Sequence, residues 1–228
     1  MTNSPVPAPP LVLAVEGLCF AGKTTLARAL ARRLDAPVVA EYGDLAGLPP
    51  FPPRDIAAAR AALSLLLAAE AGRSRQARAS GSRLVIYDRS PLSVIGHEHA
   101  MRARGVPADP ETAAAWFTAA ARTGAILTPA AYICLTVPDS TYRQRQEARG
   151  HLPEHLVAPG VRDVLSRFYD ACFRAARPGS VLHADGTTPL ARLTDKAAAF
   201  ANTLAKGAAA LPLPLPDYAH TLQARDAA

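Results

Sequence analysis

At 228 residues the chain suits one domain with a sizeable core and is short for two. Half of it is hydrophobic, yet no apolar run approaches the roughly 20 residues of a membrane span, and the start lacks the marks of a secretion signal, so a cytoplasmic protein is expected. The formal charge of +6 comes from arginines scattered along helical segments without a basic block, which argues against nucleic acid as a partner.

Residues 1–10 are proline-rich and expected to be flexible, 11–207 to form the domain, and 208–228 to be a proline-rich tail. Five short apolar runs read as strands: Leu11–Glu16, Pro37–Glu41, Arg83–Asp88, Ala131–Val137 and Val181–Ala184. Helical spacing covers Lys23–Leu34, Arg54–Ala79, Thr112–Arg122, Ser140–Arg149, Val161–Ala176 and Pro189–Leu204. Largely apolar strands alternating with helices imply an α/β fold with a parallel sheet covered on both faces. Cys19, Cys134 and Cys172 form neither a CxxC pair nor a zinc spacing, so reduced thiols and no structural metal are expected.

The first strand runs into Gly17-Leu18-Cys19-Phe20-Ala21-Gly22-Lys23-Thr24, which matches GxxxxGK[ST], with Thr25 following in the next helix. A phosphate loop needs this strand–loop–helix order, because its glycines let backbone amides at the helix N-terminus face the phosphates. Lys23 would lie across the β- and γ-phosphates of ATP, and Thr24 would ligate Mg²⁺. The second strand ends at Glu41, a candidate base for an attacking hydroxyl. The third ends in Asp88-Arg89-Ser90, where an open α/β sheet binds its ligands. Asp88 would hold Mg²⁺, and Arg89 would meet the phosphate or hydroxyl region of the acceptor.

VEGLCFAGKTTLARAL, LLLAAEAGRSRQ followed by VIYDRSPLS, YICLTVPDSTYRQRQEARG and VLHADGTTPLARLTDKAAAF together resemble the thymidylate kinase and deoxynucleoside kinase branch of the P-loop kinases. The likeness runs from about Leu11 to Leu204 and implies a three-layer sandwich on a five-stranded parallel sheet, with a helical lid at about 143–158. It further implies that Arg143, Arg145 and Arg149 clamp the phosphates of ATP, Arg145 and Arg149 also being four apart on one helix face. By the same resemblance Asp185, Gly186 and Thr187 lie beside the adenine. Glu70 and Arg73 lie on the helix that lines the acceptor pocket in these kinases, although an intrahelical ion pair is an equal alternative. His97 and His99 follow the Asp-Arg-Ser motif on a helix, where they either face the acceptor or, the reading favoured here, sit at the surface.

The pattern also departs from the family. Cys19 stands where thymidylate kinases carry an acid that meets the sugar, which counts against dTMP. The substrate helix has no Gln over Ser64–Gly72 to read a base. The expectation is therefore an ATP- and Mg²⁺-dependent kinase acting on a nucleoside or nucleoside monophosphate, with Glu41 favouring a hydroxyl acceptor. A phosphotransferase acting on a non-nucleotide, such as an antibiotic or a biosynthetic intermediate, is the alternative. A P-loop regulator ranks below both, because Asp44-Leu45-Ala46-Gly47 spells a switch-like DxxG only by chance. The partner is a small-molecule acceptor; a homodimer is left open.

Overall fold

The computed structural model describes residues 8–42, 50–149 and 152–206. The expected tails beyond these bounds, the DxxG at 44–47 and residues 150–151 of the expected lid lie outside the described residues.

The sequence Leu11–Gly17 forms β1, and its alternation divides the molecule. Val12 and Ala14 point into one core while Leu13 and Val15 point into the other. A strand buried on both faces needs apolar residues throughout, and only Glu16 breaks that rule. Beyond β1 come α1 (Lys23–Leu34), β2 (Val38–Val39), α2 (Ile56–Ala79), β3 (Leu84–Asp88), α3 (Pro91–Ala103) and α4 (Pro110–Arg122). The chain continues as β4 (Ala131–Thr136), α5 (Asp139–Arg149), α6 (Glu154–Val157), α7 (Pro159–Ala175), β5 (Val181–Asp185) and α8 (Leu190–Lys206). All strand pairs are parallel, in the order β2-β3-β1-β4-β5. One layer, α1 with α8, covers the Leu13 and Val15 face; α2, α3, α4 and α7 cover the other. The five-stranded parallel sandwich expected from the sequence is present.

β2 is two residues long rather than five, because it is an edge strand that pairs only with β3 at Val38 and Val39. Helix starts moved to their caps. The Asp55, Ser90 and Asp109 side chains accept from backbone N–H groups of Ala58, Leu92 and Thr112 and so open α2, α3 and α4. Pro91 and Pro110 follow as first helical residues, where a missing N–H costs nothing. The order of the strands places β1 and β3 side by side, so the residues at their carboxyl ends, 16–24 and 88–90, share one edge of the sheet.

Candidate functional site

The phosphate loop is held by close backbone approaches that only glycine permits. A Cβ on Gly17, at φ 134°, would sit 2.2 Å from the carbonyl oxygen of Leu135 on β4. Gly22 then caps α1, whose amides point into the loop. Across the loop, a Cβ on Gly186 would lie 2.5 Å from the carbonyl oxygen of Ala21, so the turn after β5 rests directly on the phosphate loop.

Lys23 is buried, and its Nζ donates to the carbonyl of Leu18 at 2.7 Å. An ammonium has three donors, so two remain to reach toward phosphate oxygens. Burial, followed by the nearby Arg89 guanidinium, lowers the Lys23 pKa to about 8. Asp88 is also buried, and desolvation pushes its carboxyl above the ordinary value, while a hydrogen bond to Thr24 and the charge of Lys23 oppose that. Its Oδ1 has no hydrogen-bond partner. An orphaned carboxylate oxygen beside a threonine hydroxyl fits Mg²⁺, which takes one or two protein oxygens and completes its shell with water and phosphate. Among the described residues no cluster of three or more His, Cys, Asp or Glu side chains offers a metal site. Thr24 and the unpartnered Oδ1 of Asp88 are the groups that would hold the ion.

Arg89 adopts φ 66°, a left-handed conformation that a non-glycine residue reaches only under constraint. Three hydrogen bonds to carbonyls fix it there: the Arg89 N–H donates to Val15 O at 3.1 Å, and Arg73 Nη2 donates to the carbonyls of Asp88 and Arg89 at 3.0 and 2.9 Å. The turn aims the guanidinium at Glu41, with Nε to Oε2 at 2.6 Å, and at Ser93 Oγ at 3.3 Å. Burial would raise the Glu41 carboxyl, but Arg89, with Lys23 and Arg149 behind it, holds the pKa below the ordinary value. Glu41 is therefore ionised and paired, and only half-buried.

Beneath these groups lie two buried networks, the first of them not revealed by the sequence. Glu16 is wholly buried and accepts from Ser90 N–H at 2.8 Å, Ser90 Oγ at 2.6 Å, Ser93 Oγ at 2.7 Å and Tyr169 Oη at 3.2 Å. It thereby fixes the start of α3 and the serine on which Arg89 leans. A carboxylate inside an apolar strand was the signal that could have found it. The second network corrects the expectation for Glu70 and Arg73. Neither lines a cavity: both are buried and paired at 2.6 Å, the intrahelical alternative, and the Tyr42 hydroxyl donates to Glu70 as well. Arg73 is also sandwiched between the rings of Tyr42 and Tyr87, at 4.5 and 4.6 Å.

Two cavities meet at the phosphate loop. The larger, of about 520 Å³, is lined by Gly17, Leu18, Cys19, Lys23, Thr24, Glu41 and Arg89, and extends outward to Tyr42, Leu66, His97, His155 and Tyr169. The second, of about 510 Å³, is lined by Phe20, Ala21, Gly22, Arg145, Gly186, Thr187 and Thr188. Phe20, Gly22, Thr25 and Arg149 belong to both. The lid arginines separate accordingly. Arg149 stands between the cavities; Arg145 instead donates to the carbonyls of Phe20 and Gly186, at 3.0 and 2.8 Å, and ties the phosphate loop to the turn after β5. Arg143 is exposed and lines neither cavity, which corrects its expected place in the phosphate clamp. Asp185 is likewise absent from the cavity wall: its carboxylate accepts from Thr187 N–H and Oγ1 and shapes the turn that presents Gly186 and Thr187. His97, expected at the surface, lines the larger cavity.

No helix among the described residues is long and apolar enough to cross a membrane. The structure resembles that of deoxyadenosine kinase from M. mycoides, solved with its product dCMP and a flexible dCDP bound. The two share 16% identity over 85% of this chain and 100% of that one, with a TM-score of 0.60. Thymidylate kinase from Candida albicans is similar at a TM-score of 0.61, with 13% identity over 86% of this chain and 92% of that one. No curated protein matches the chain. The family model described as an AAA domain matches residues 19–159, more than half of the sequence. With a phosphate loop, a paired acid and base at the neighbouring strand ends and two adjoining cavities, the chain belongs to the AAA domain family and carries the fold of the deoxynucleoside and thymidylate kinases.

Proposed function

We propose that this chain is an ATP- and Mg²⁺-dependent phosphotransferase that moves the γ-phosphoryl group to a hydroxyl of a small, nucleoside-like acceptor. The observation that carries the reading is the Glu41–Arg89 pair, at 2.6 Å, lining the larger cavity together with Lys23 and Thr24. The smaller cavity, against Gly186 and Thr187, suits the adenine, and Arg145 joins its two walls. Mg²⁺, bound by Thr24 and Asp88, would neutralise charge on the phosphates.

On this reading Glu41 accepts the proton of the acceptor hydroxyl, and Arg89 orients that carboxylate from one side. Lys23 offers its free donors to the oxygens of the phosphoryl group in transit. Arg149, shared by both cavities, is placed to follow charge as it passes from donor to acceptor. The oxygen that attacks and the phosphorus it meets would lie within reach of these four side chains, all of which line the larger cavity. A phosphate acceptor is disfavoured because it would enter against the ionised Glu41, a like charge. The fold neighbours support a nucleoside-like acceptor, since one was solved with dCMP. The missing base-reading Gln on α2 keeps a non-nucleotide alcohol as the alternative.

The test is turnover of ATP against a panel of nucleosides, their 5′-monophosphates and aminoglycoside-like alcohols, with Glu41→Gln alongside. Phosphorylation of a hydroxyl acceptor that collapses in Glu41→Gln is the expected result. Monophosphates as the only acceptors would overturn it.

A further inference from the structure

Away from Glu41 and Arg89 the larger cavity changes character. Leu66, Val94, Leu156 and Leu165 supply apolar walls, whereas Tyr42 follows Glu41 and Tyr169 reaches Ser93 beside Arg89. The four charged side chains that line the cavity are Glu41 and the three that interact electrostatically with it, Lys23, Arg89 and Arg149, so they gather at the reacting end. Three rings from separate segments converge beside the cavity, and two of them, His97 and His155, line it. Phe51, ahead of α2, lies 3.8 Å from His155 of α6 between ring centroids, and His97 of α3 lies 5.6 and 5.4 Å from those two.

A polar atom shielded from water normally has a partner, because leaving it unpaired is costly. His97 Nε2 is shielded and has none, and its ring lines the cavity. Burial, then His155 and Arg89, lowers the His97 pKa to about 4, so the imidazole is neutral near pH 7 and can both donate and accept.

We propose that His97 reads one hydrogen-bonding group on the acceptor other than its reacting hydroxyl, and that the acceptor is an uncharged alcohol built on a ring with apolar faces. On the phosphotransferase reading, which this inference presupposes, the aromatic and aliphatic walls take the faces of that ring, and Nε2 gains the partner that the protein withholds. No Gln or Asn lines this cavity among the described residues, and of its polar side chains His97 carries the nitrogen that the protein leaves unpaired.

The experiment measures acceptor KM and kcat for thymidine, deoxycytidine, deoxyadenosine, phenethyl alcohol and tyrosol. The last two differ by one ring hydroxyl. Wild type is compared with His97→Phe, which keeps a ring and removes the nitrogens, and with His97→Gln, which restores a polar group. At least one of these neutral alcohols should be phosphorylated. His97→Phe should raise its KM by about 10- to 100-fold while lowering kcat by less, and His97→Gln should recover part of the loss. Unchanged KM in both variants overturns the assignment. So does refusal of every neutral ring alcohol by a preparation that binds Mg·ATP through Lys23, and that outcome spares the phosphotransferase reading. Absence of Mg·ATP binding would sink both. Glu41→Gln separates the two in the other direction: full kcat there, with a KM that still responds at His97, removes the base and keeps the reader.

Discussion

The hydroxyl of Tyr42 lies 2.5 Å from Oε2 of Glu70, twenty-eight residues further along the chain, and both groups are buried. Tyr42 is the residue after Glu41, and Glu70 pairs with the arginine that holds the carbonyls of Asp88 and Arg89. The segment carrying the proposed base is thus tied, through Glu70 and Arg73, to the strand end carrying its guanidinium partner. Three functional positions on two strand ends, Glu41, Asp88 and Arg89, share one buried anchor.

Tyr42→Phe removes that tie and leaves a buried carboxylate one partner short. Stability should fall by about 1–3 kcal/mol, read by chemical denaturation. Turnover should fall as well, because Glu41 loses its seat, while the KM for ATP stays near wild type. Loss of stability without loss of kcat would show that the anchor is structural alone.

Lys23→Ala should lower phosphoryl transfer by about 10²- to 10³-fold with the fold intact, since the ammonium meets charge rather than packing. The pH dependence of stability gives a second readout. The folded-state pKa of Lys23, about 8, lies below its ordinary 10.5. Burying the charged form therefore costs stability fully below pH 8, and that cost fades as pH rises from 8 to 10.5. The alanine variant should gain on wild type below pH 8 and lose that gain toward pH 10.5. A difference in stability independent of pH would contradict the burial of this charge.

Glu41→Gln should cost about 10²- to 10⁴-fold in kcat. In wild type the acidic limb of the kcat profile should fall below the ordinary glutamate value of 4.5, because the Glu41 pKa is lowered in the folded protein. Arg89→Ala removes the strongest opposing cation and leaves Lys23 and Arg149 alone to offset burial, so the limb should move upward from its wild-type position. A limb that stays put in Arg89→Ala would place the titrating group elsewhere.

Arg145→Gln and Arg149→Gln should part company. Arg145 joins Phe20 to Gly186 across the smaller cavity, so its loss should raise the KM for ATP. Arg149 lies between the cavities and donates to no protein carbonyl among the hydrogen bonds of the described residues, so its loss should act on kcat. Steady-state kinetics of the two variants, with ATP varied, checks both. Identical effects on kcat and KM would return them to one shared role.

The phosphate loop, the five strands and the alternating helices were legible in the sequence because each depends on neighbours within one short segment. The loop needs its glycines, lysine and threonine in unbroken order, and a doubly buried strand must be apolar along its length. Strand ends could be read too, so Glu41, Asp88 and Arg89 were placed at the site before any coordinates. What the sequence could not determine was which side chains those residues would meet. Glu16 and Tyr169 are 153 residues apart, and Arg145 and Phe20 are 125 apart; only the pairing of β1 with β3 and β4 and the docking of α5 and α7 bring them together. Tertiary structure also moved Glu70 and Arg73 out of the pocket, because a charged pair one helical turn apart satisfies itself when the helix face carrying it is buried. It drew His97 inward for the complementary reason: α3 leaves the Ser90 cap packed against α7, and one helix face must then line the cavity between them, whatever residues it carries.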